Sequence, residues 1–255
     1  MEFVRIEQNG NLLIVILGRG KANALNRTMI GELAHTIASA ESDAAIRGVV
    51  LASDRPRFFS SGFDVVEVFG YERDEMRAFF EQFGGLCEAI MRLPKPVVAA
   101  VSGHAFAGGA ILALASDVRV FAEGEFGFAL NEINLGLGLT SAIVRMAVHA
   151  VGIQTARELI LAGRTFPPAR SLETGLAAEV VPVDAVLERA VARARELADK
   201  PAGAFGMMKR IVAETSGLLP PPGYSHDHEP FLNQWFSPEA MALKRQLMEA
   251  MAAKK

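Results

Sequence analysis

The chain has 255 residues, of which 51% are hydrophobic and 22% charged, with a formal net charge of −3. That is enough apolar material for one large core or two smaller ones, and the slightly acidic balance removes the electrostatic case for nucleic acid or an anionic membrane as partner. A single cysteine, Cys87, excludes an intrachain disulfide framework and fits a reducing compartment.

The first residues are acidic and polar where a signal peptide is basic, and no apolar run reaches the ~20 residues of a membrane helix. The chain therefore reads as unexported and cytoplasmic, with a small molecule as partner. Residues 3–6 and 12–17 flank Asn9-Gly10-Asn11, which predicts an antiparallel hairpin. Residues 28–40 place Met29, Ile30, Leu33, Ala34 and Ile37 at helical spacing, and 48–51 read as a short buried strand. Asn26-Arg27-Thr28 matches a glycosylation acceptor, an accident in a chain without a secretion signal.

A second round follows: a charged helix over 73–92, a break at Pro94-Lys95-Pro96 and a strand over 97–101. A third has a helix over 110–116 and a strand over 118–121. Alternating strand and helix indicate an α/β core, although the rounds are too unlike to make a sequence repeat. Beyond Thr140 the pattern is almost wholly helical, notably over 184–200 and 238–253, and Pro220 to Gly223 mark a linker. The expected division is a core over 1–195 and a C-terminal helical region over 196–255.

Between the strand at 97–101 and the next helix, Gly103-His104-Ala105-Phe106-Ala107-Gly108-Gly109-Ala110 keeps side-chain volume low. It reads as a strand-to-helix loop ending at a helix N-terminus, where unpaired N–H groups gather. Glycines there let a ligand oxygen reach the backbone, or merely let a helix pack closely. The patterns GxGxxG, GK[ST] and GxSxG are absent, which removes the usual signals of nucleotide cradling and serine hydrolysis. A second loop, Arg57-Phe58-Phe59-Ser60-Ser61-Gly62-Phe63-Asp64, also leads from a strand toward a helix.

FFSSGFD resembles the FxxGxD loop of the enoyl-CoA hydratase/isomerase (crotonase) family, and SGHAFAGGAILALASDVRV resembles that family's NGxxxGGGxxLALxCD segment. The resemblance continues in PVVAAV, in KANALN from Lys21, in residues 126–136, and in residues 161–166 and 169–181, covering about three quarters of the chain. It implies an α/β crotonase-like spiral of repeated ββα units with a C-terminal helical trimerisation region. It further implies an acyl-CoA substrate, no cofactor beyond that coenzyme A, and a homotrimer or dimer of trimers. Carried onto this sequence, it makes the backbone N–H groups of Phe63 and Gly108 an oxyanion hole for the thioester. The backbone around Ser61 and around Lys21, Ala22 and Ala24 would hold the adenine end, with Gly62, Asp64, Gly109 and Ile111 against the substrate. Asp64 also reads as a helix cap.

The family's hydratases use two glutamates, one three residues after the oxyanion glycine and one in the segment here reading LNEINLG. This chain keeps Glu132 at the second place and has Ile111 at the first, on the same helix face as Gly108. Hydration uses two proton-transfer groups, whereas moving a double bond uses one base that lifts a proton and returns it two carbons away. The pattern therefore points to a Δ3,Δ2-enoyl-CoA isomerase. A 2-enoyl-CoA hydratase is the alternative, and an acyl-CoA hydrolase, decarboxylase or non-catalytic binder stand behind it. Glu67 or Asp64 supplies a second acid if the helix after Gly62 faces the pocket.

His104, among small residues, reads as a packed histidine without a catalytic role. His226-Asp227-His228-Glu229 lacks the spacing of a metal site, and no metal is expected. Arg145 and Arg157 read as solvated or at subunit contacts. Met241, Leu243, Leu247, Met248 and Met251 predict an amphipathic helix. The resemblance implies that this helix packs around a trimer axis and partly walls the acyl pocket, with Lys244 meeting the coenzyme A phosphates of a neighbouring subunit.

Overall fold

The computed structural model describes residues 1–219 and 228–253; the proline linker at 220–223 and two members of the histidine cluster, His226 and Asp227, lie outside the described residues. Strands β1 (Val4–Asn9) and β2 (Leu12–Leu17) form the predicted hairpin, turned by Gly10 at φ 63°. Onto β2 the chain adds β3 (Gly48–Ser53), β5 (Val97–Val101), β7 (Val118–Ala122) and β9 (Glu179–Val181), all parallel, in a six-stranded sheet of order β1-β2-β3-β5-β7-β9. Both faces are covered, which is why its central strands are apolar at successive positions instead of alternating with polar residues. Leu12, Ile14, Val50, Val98 and Val120 meet Ala190 and Ala194 of helix α7 (Val186–Ala198) on one side. Val15, Leu17, Val49, Leu51 and Val97 join the larger core on the other, with α1 (Arg27–Ser42) and α3 (Arg73–Arg92). Asn26, buried, caps α1 by accepting the Met29 N–H at 2.9 Å, so it presents no glycosylation site.

The sequence pattern misses three short strands. β4 (Phe58–Ser60), β6 (His104–Phe106) and β8 (Phe128–Ala129) lie within segments read as loops, and they pair in parallel as a second, three-stranded sheet. Strands of two or three residues have no period to detect; only their pairing reveals them. Each follows a strand of the large sheet and precedes helical structure, so β3-β4-α3, β5-β6-α4 (Gly108–Leu114) and β7-β8-α5 (Ser141–Leu161) are turns of one ββα spiral. Because the strands of the small sheet run the same way, the loops leaving their C-terminal ends emerge together. That placement builds the site.

The rest of the chain is mostly helical, and Ile143, Phe231, Trp235 and Leu247 from it close over the site. α5 is broken at Gly152 (φ 72°, ψ 161°), and α6 (Pro168–Glu173), α8 (Ala202–Thr215), α9 (Glu229–Trp235) and α10 (Pro238–Ala252) follow. Phe231 and Trp235 anchor α9 on Phe80 of α3, with ring centroids 4.1 and 6.3 Å away. Among the described residues no helix is long and apolar enough to cross a membrane.

Candidate active site

Residues 61–64 leave β4, 107–108 leave β6 and 130–132 leave β8. The first two loops touch: a Cβ on Gly62, which sits at φ 97°, would lie 2.9 Å from the Phe106 carbonyl oxygen and 3.3 Å from the Gly108 nitrogen. The third is tied to the second by the Ala107 N–H, which donates to the Ala129 carbonyl at 2.9 Å. Together they wall a cavity of about 200 Å³ that Ser61, Phe63, Ala107, Ile111, Asn131 and Glu132 line. Its roof is apolar, from Phe69, Leu135, Leu139, Phe231, Trp235 and, on α10, Leu247.

The small residues of the second loop serve packing first. A Cβ on Gly103 would lie 2.4 Å from the Arg57 carbonyl, one on Gly109 2.5 Å from the Ser60 carbonyl, and one on Gly108 2.7 Å from the Phe63 ring. Of the two readings of this stretch, close packing is met at all three glycines, where backbone and ring leave no space for a Cβ. The consequence for the two N–H groups is direct. Phe63 is held edge-on by Phe79, Phe80 and Phe83, with centroids 4.9 to 5.6 Å apart, and Gly108 rests on that ring. Neither the Phe63 N–H nor the Gly108 N–H donates a hydrogen bond within the described residues. Ala107, just before Gly108, has φ 47° and ψ −121°, a region that strains any residue with a Cβ. It stands where the NGxxxGGG pattern has its first glycine.

Glu132 opens a short 3₁₀ turn, Glu132–Leu135, and both of its carboxylate oxygens are buried with no hydrogen-bond partner. Burial pushes its pKa up from 4.5 to about 7. Ile111, 1% exposed, faces the same cavity from the first turn of α4. An unpaired carboxyl poised near neutrality beside an apolar wall is a proton carrier in waiting.

Other expected residues lie elsewhere. Asp64 caps the short helix α2 (Val65–Val68) by accepting the Val66 N–H at 3.1 Å, and pairs with Arg19 at 2.6 Å. Glu67 accepts from the Arg27 N–H at 3.1 Å and from the Tyr71 hydroxyl. Neither lines the cavity, so the helix after Gly62 does not offer the second acid that the sequence left open. Lys21 is exposed, and Ala22 and Ala24 meet the site only through backbone: the Ala22 carbonyl accepts the Ser61 N–H at 2.9 Å. His104 packs against Phe58, Phe106 and Phe126, and its Nδ1 accepts the Gly127 N–H at 3.1 Å. Burial lowers its pKa.

One further expectation is corrected. Lys244 does not point outward to a neighbour's phosphates. It is 4% exposed, donates to the Trp235 carbonyl at 2.9 Å and sits 4.5 Å over the Trp235 ring, because α10 turns it inward onto α9. Arg145 is half-buried and Arg157 exposed.

The model of the family described as Enoyl-CoA hydratase/isomerase matches residues 7–241. The chain belongs to this family. It is similar to enoyl-CoA delta isomerase 1, mitochondrial, of Rattus norvegicus, 30% identical over 190 residues that cover 73% of this chain and 66% of that one. It is also similar to carnitinyl-CoA dehydratase of Salmonella typhi, 30% identical over 254 residues covering 96% and 97% of the two chains. In fold it superposes on human mitochondrial delta3-delta2-enoyl-CoA isomerase with a TM-score of 0.90 at 22% identity, over 99% of each chain. An enoyl-CoA hydratase from Bacillus anthracis gives 0.80 at 24% identity, over 99% and 97%. These two likenesses speak to the fold.

Two residues that sequence reasoning did not single out tie the loops of the site together. Asn23, wholly buried with φ 50°, accepts the Arg19 N–H at 2.7 Å and donates to the Ser53 hydroxyl at 2.8 Å, while its carbonyl accepts from Ser60 Oγ at 2.7 Å. It knots the Lys21 loop to the β4 loop. Arg19 reaches the Ala24 carbonyl at 2.7 Å and Asp64, clamping the same two segments. The signal for Asn23 was its type, since asparagine tolerates positive φ better than most residues.

Proposed function

We propose that the enzyme moves a double bond from C3–C4 to C2–C3 of an acyl-CoA, with Glu132 as the single proton carrier. One observation carries this reading: among the described residues lining the cavity, Glu132 is the only ionisable side chain, and Ile111 lines the same cavity. The ionised carboxylate takes a proton from C2, and the electron pair passes into the thioester oxygen as a dienolate. The N–H groups of Phe63 and Gly108 hydrogen-bond that oxygen, a stabilisation worth roughly 3 to 4 kcal/mol per donor in other enzymes. The carboxylic acid so formed returns its proton to C4, and the double bond settles at C2–C3. Nothing beyond the coenzyme A ester is consumed.

Hydration is the second reading, favoured by the likeness to proteins named carnitinyl-CoA dehydratase. It asks for a second acid or base, and the other half-buried polar side chains among the described residues lining the cavity are Asn131 and Ser61, neither of them a carboxylate or histidine. Incubating the protein with 3-enoyl-CoA and 2-enoyl-CoA separates the two by the product formed. Conversion of the 3-enoyl ester at least tenfold faster than hydration of the 2-enoyl ester supports isomerisation; the reverse order rejects it. The exposed Met207, Met208, Ile211 and Val212 of α8 support self-association, for which a trimer or dimer of trimers is proposed. A clean monomer at micromolar concentration in the ultracentrifuge rejects that.

A further inference from the structure

A second cavity, of about 380 Å³, adjoins the reaction cavity, and the two share Phe80, Ile111 and Ile143 in their walls. Phe83, Met91, Met146 and Leu218 make most of its wall apolar; Glu81, Glu88, Thr140 and His228 add polar groups, and no lysine or arginine among the described residues lines it. Cys87 also faces it, with its thiol pushed up to about 12 by burial, so it stands there as a small neutral surface.

Its least explained residues are Gly84 and Gly85, consecutive glycines within the 20-residue helix α3. Each weakens a helix interior relative to alanine. At Gly103, Gly108 and Gly109 close neighbours demand the missing side chain, but a Cβ on Gly84 or Gly85 would meet nothing within 4 Å. No packing contact within the described chain requires them. Both line the second cavity.

We infer that this chamber receives the distal part of a long, unbranched acyl chain, that Ile111 joins it to the reaction cavity, and that Gly84-Gly85 keeps it open. The inference rests on the acyl-CoA reading and deepens it. The substrate class is then a long-chain ester with an unsubstituted alkyl end. Position 111, where the resemblance implies a second glutamate in hydratases, serves as alkyl wall. A chain ending in carboxylate is disfavoured, since its charge would meet apolar wall and the Glu81 and Glu88 carboxylates, with no lysine or arginine among the described lining residues.

Titration calorimetry with saturated hexanoyl-CoA and dodecanoyl-CoA, neither able to isomerise, tests this apart from the reaction. Each buried methylene is worth about fourfold in affinity, so dodecanoyl-CoA binds the wild-type protein at least about tenfold more tightly than hexanoyl-CoA. Gly84→Leu and Gly85→Leu gain helix propensity and melt higher, yet bring that ratio toward one by filling the chamber. Dodecanedioyl-CoA binds the wild type at least about tenfold more weakly than dodecanoyl-CoA.

A wild-type ratio near one overturns the inference even if a variant fails to fold. So does an unchanged ratio in folded glycine variants, or a variant that alters the sedimentation coefficient, since the glycines would then seat a second copy of the chain. If turnover of 3-enoyl-CoA is absent while the ratio holds, the isomerase reading fails and the chamber stands.

Discussion

Replacing Glu132 by glutamine tests its burial and its chemistry together. Folding raises the carboxyl from 4.5 to about 7, a shift equivalent to about 3 kcal/mol. The folded state holds this proton more tightly than the unfolded chain does. Between pH 4.5 and 7 it therefore carries more protons, and stability falls as pH rises, with the loss complete above about 7. Glu132 then costs almost nothing at pH 4 and about 3 kcal/mol at pH 8. Glutamine removes the charge but keeps the shape and the unpartnered polar atoms, so any packing offset is the same at every pH.

The advantage of Glu132→Gln over the parent should grow by about 2.5 kcal/mol between pH 5 and pH 8, or about 5–10 °C in melting temperature for a chain of this size. Scanning calorimetry of both proteins at the two pH values measures it. In parallel, kcat/KM of the parent on a 3-enoyl-CoA should rise with pH and level off above about 7, and the variant should lose about 10²- to 10⁴-fold. Equal melting differences at pH 5 and pH 8 refute a dry carboxyl. Undiminished turnover in the variant places the base elsewhere and removes the main support for isomerisation.

Gly108→Ala drives a Cβ to 2.7 Å from the Phe63 ring, which Phe79, Phe80 and Phe83 prevent from yielding, so both N–H donors shift. Turnover should fall about 10²- to 10³-fold, with about 1–3 kcal/mol lost in urea unfolding and a smaller effect on binding of free coenzyme A; near-normal turnover defeats the oxyanion assignment. Ala107→Gly relieves the strain at φ 47° and, after the extra entropy of the unfolded glycine, should stabilise the protein by about 1 kcal/mol. An unchanged urea midpoint contradicts that strain.

The sequence by itself determined the hairpin, the helices over 28–40 and 73–92 and the strands at 97–101 and 118–121, because these segments are long enough for a pattern to show. Its loop motifs also named the residues that wall the cavity, Phe63, Ile111 and Glu132, since those side chains and their spacing are local facts. Only the tertiary structure decided what surrounds them. Strands of two and three residues exist because β4, β6 and β8 pair with one another. The glycines at 108 and 109 are needed because Phe63 and Ser60, far back in the chain, press on them. Glu67 is tied to Arg27 and Tyr71, and Lys244 is folded inward under Trp235. Glu132 titrates near neutrality because residues from α2, α5, α9 and α10 close the cavity around it. Desolvation sums over every neighbour in space, and most neighbours of a buried group are remote in sequence.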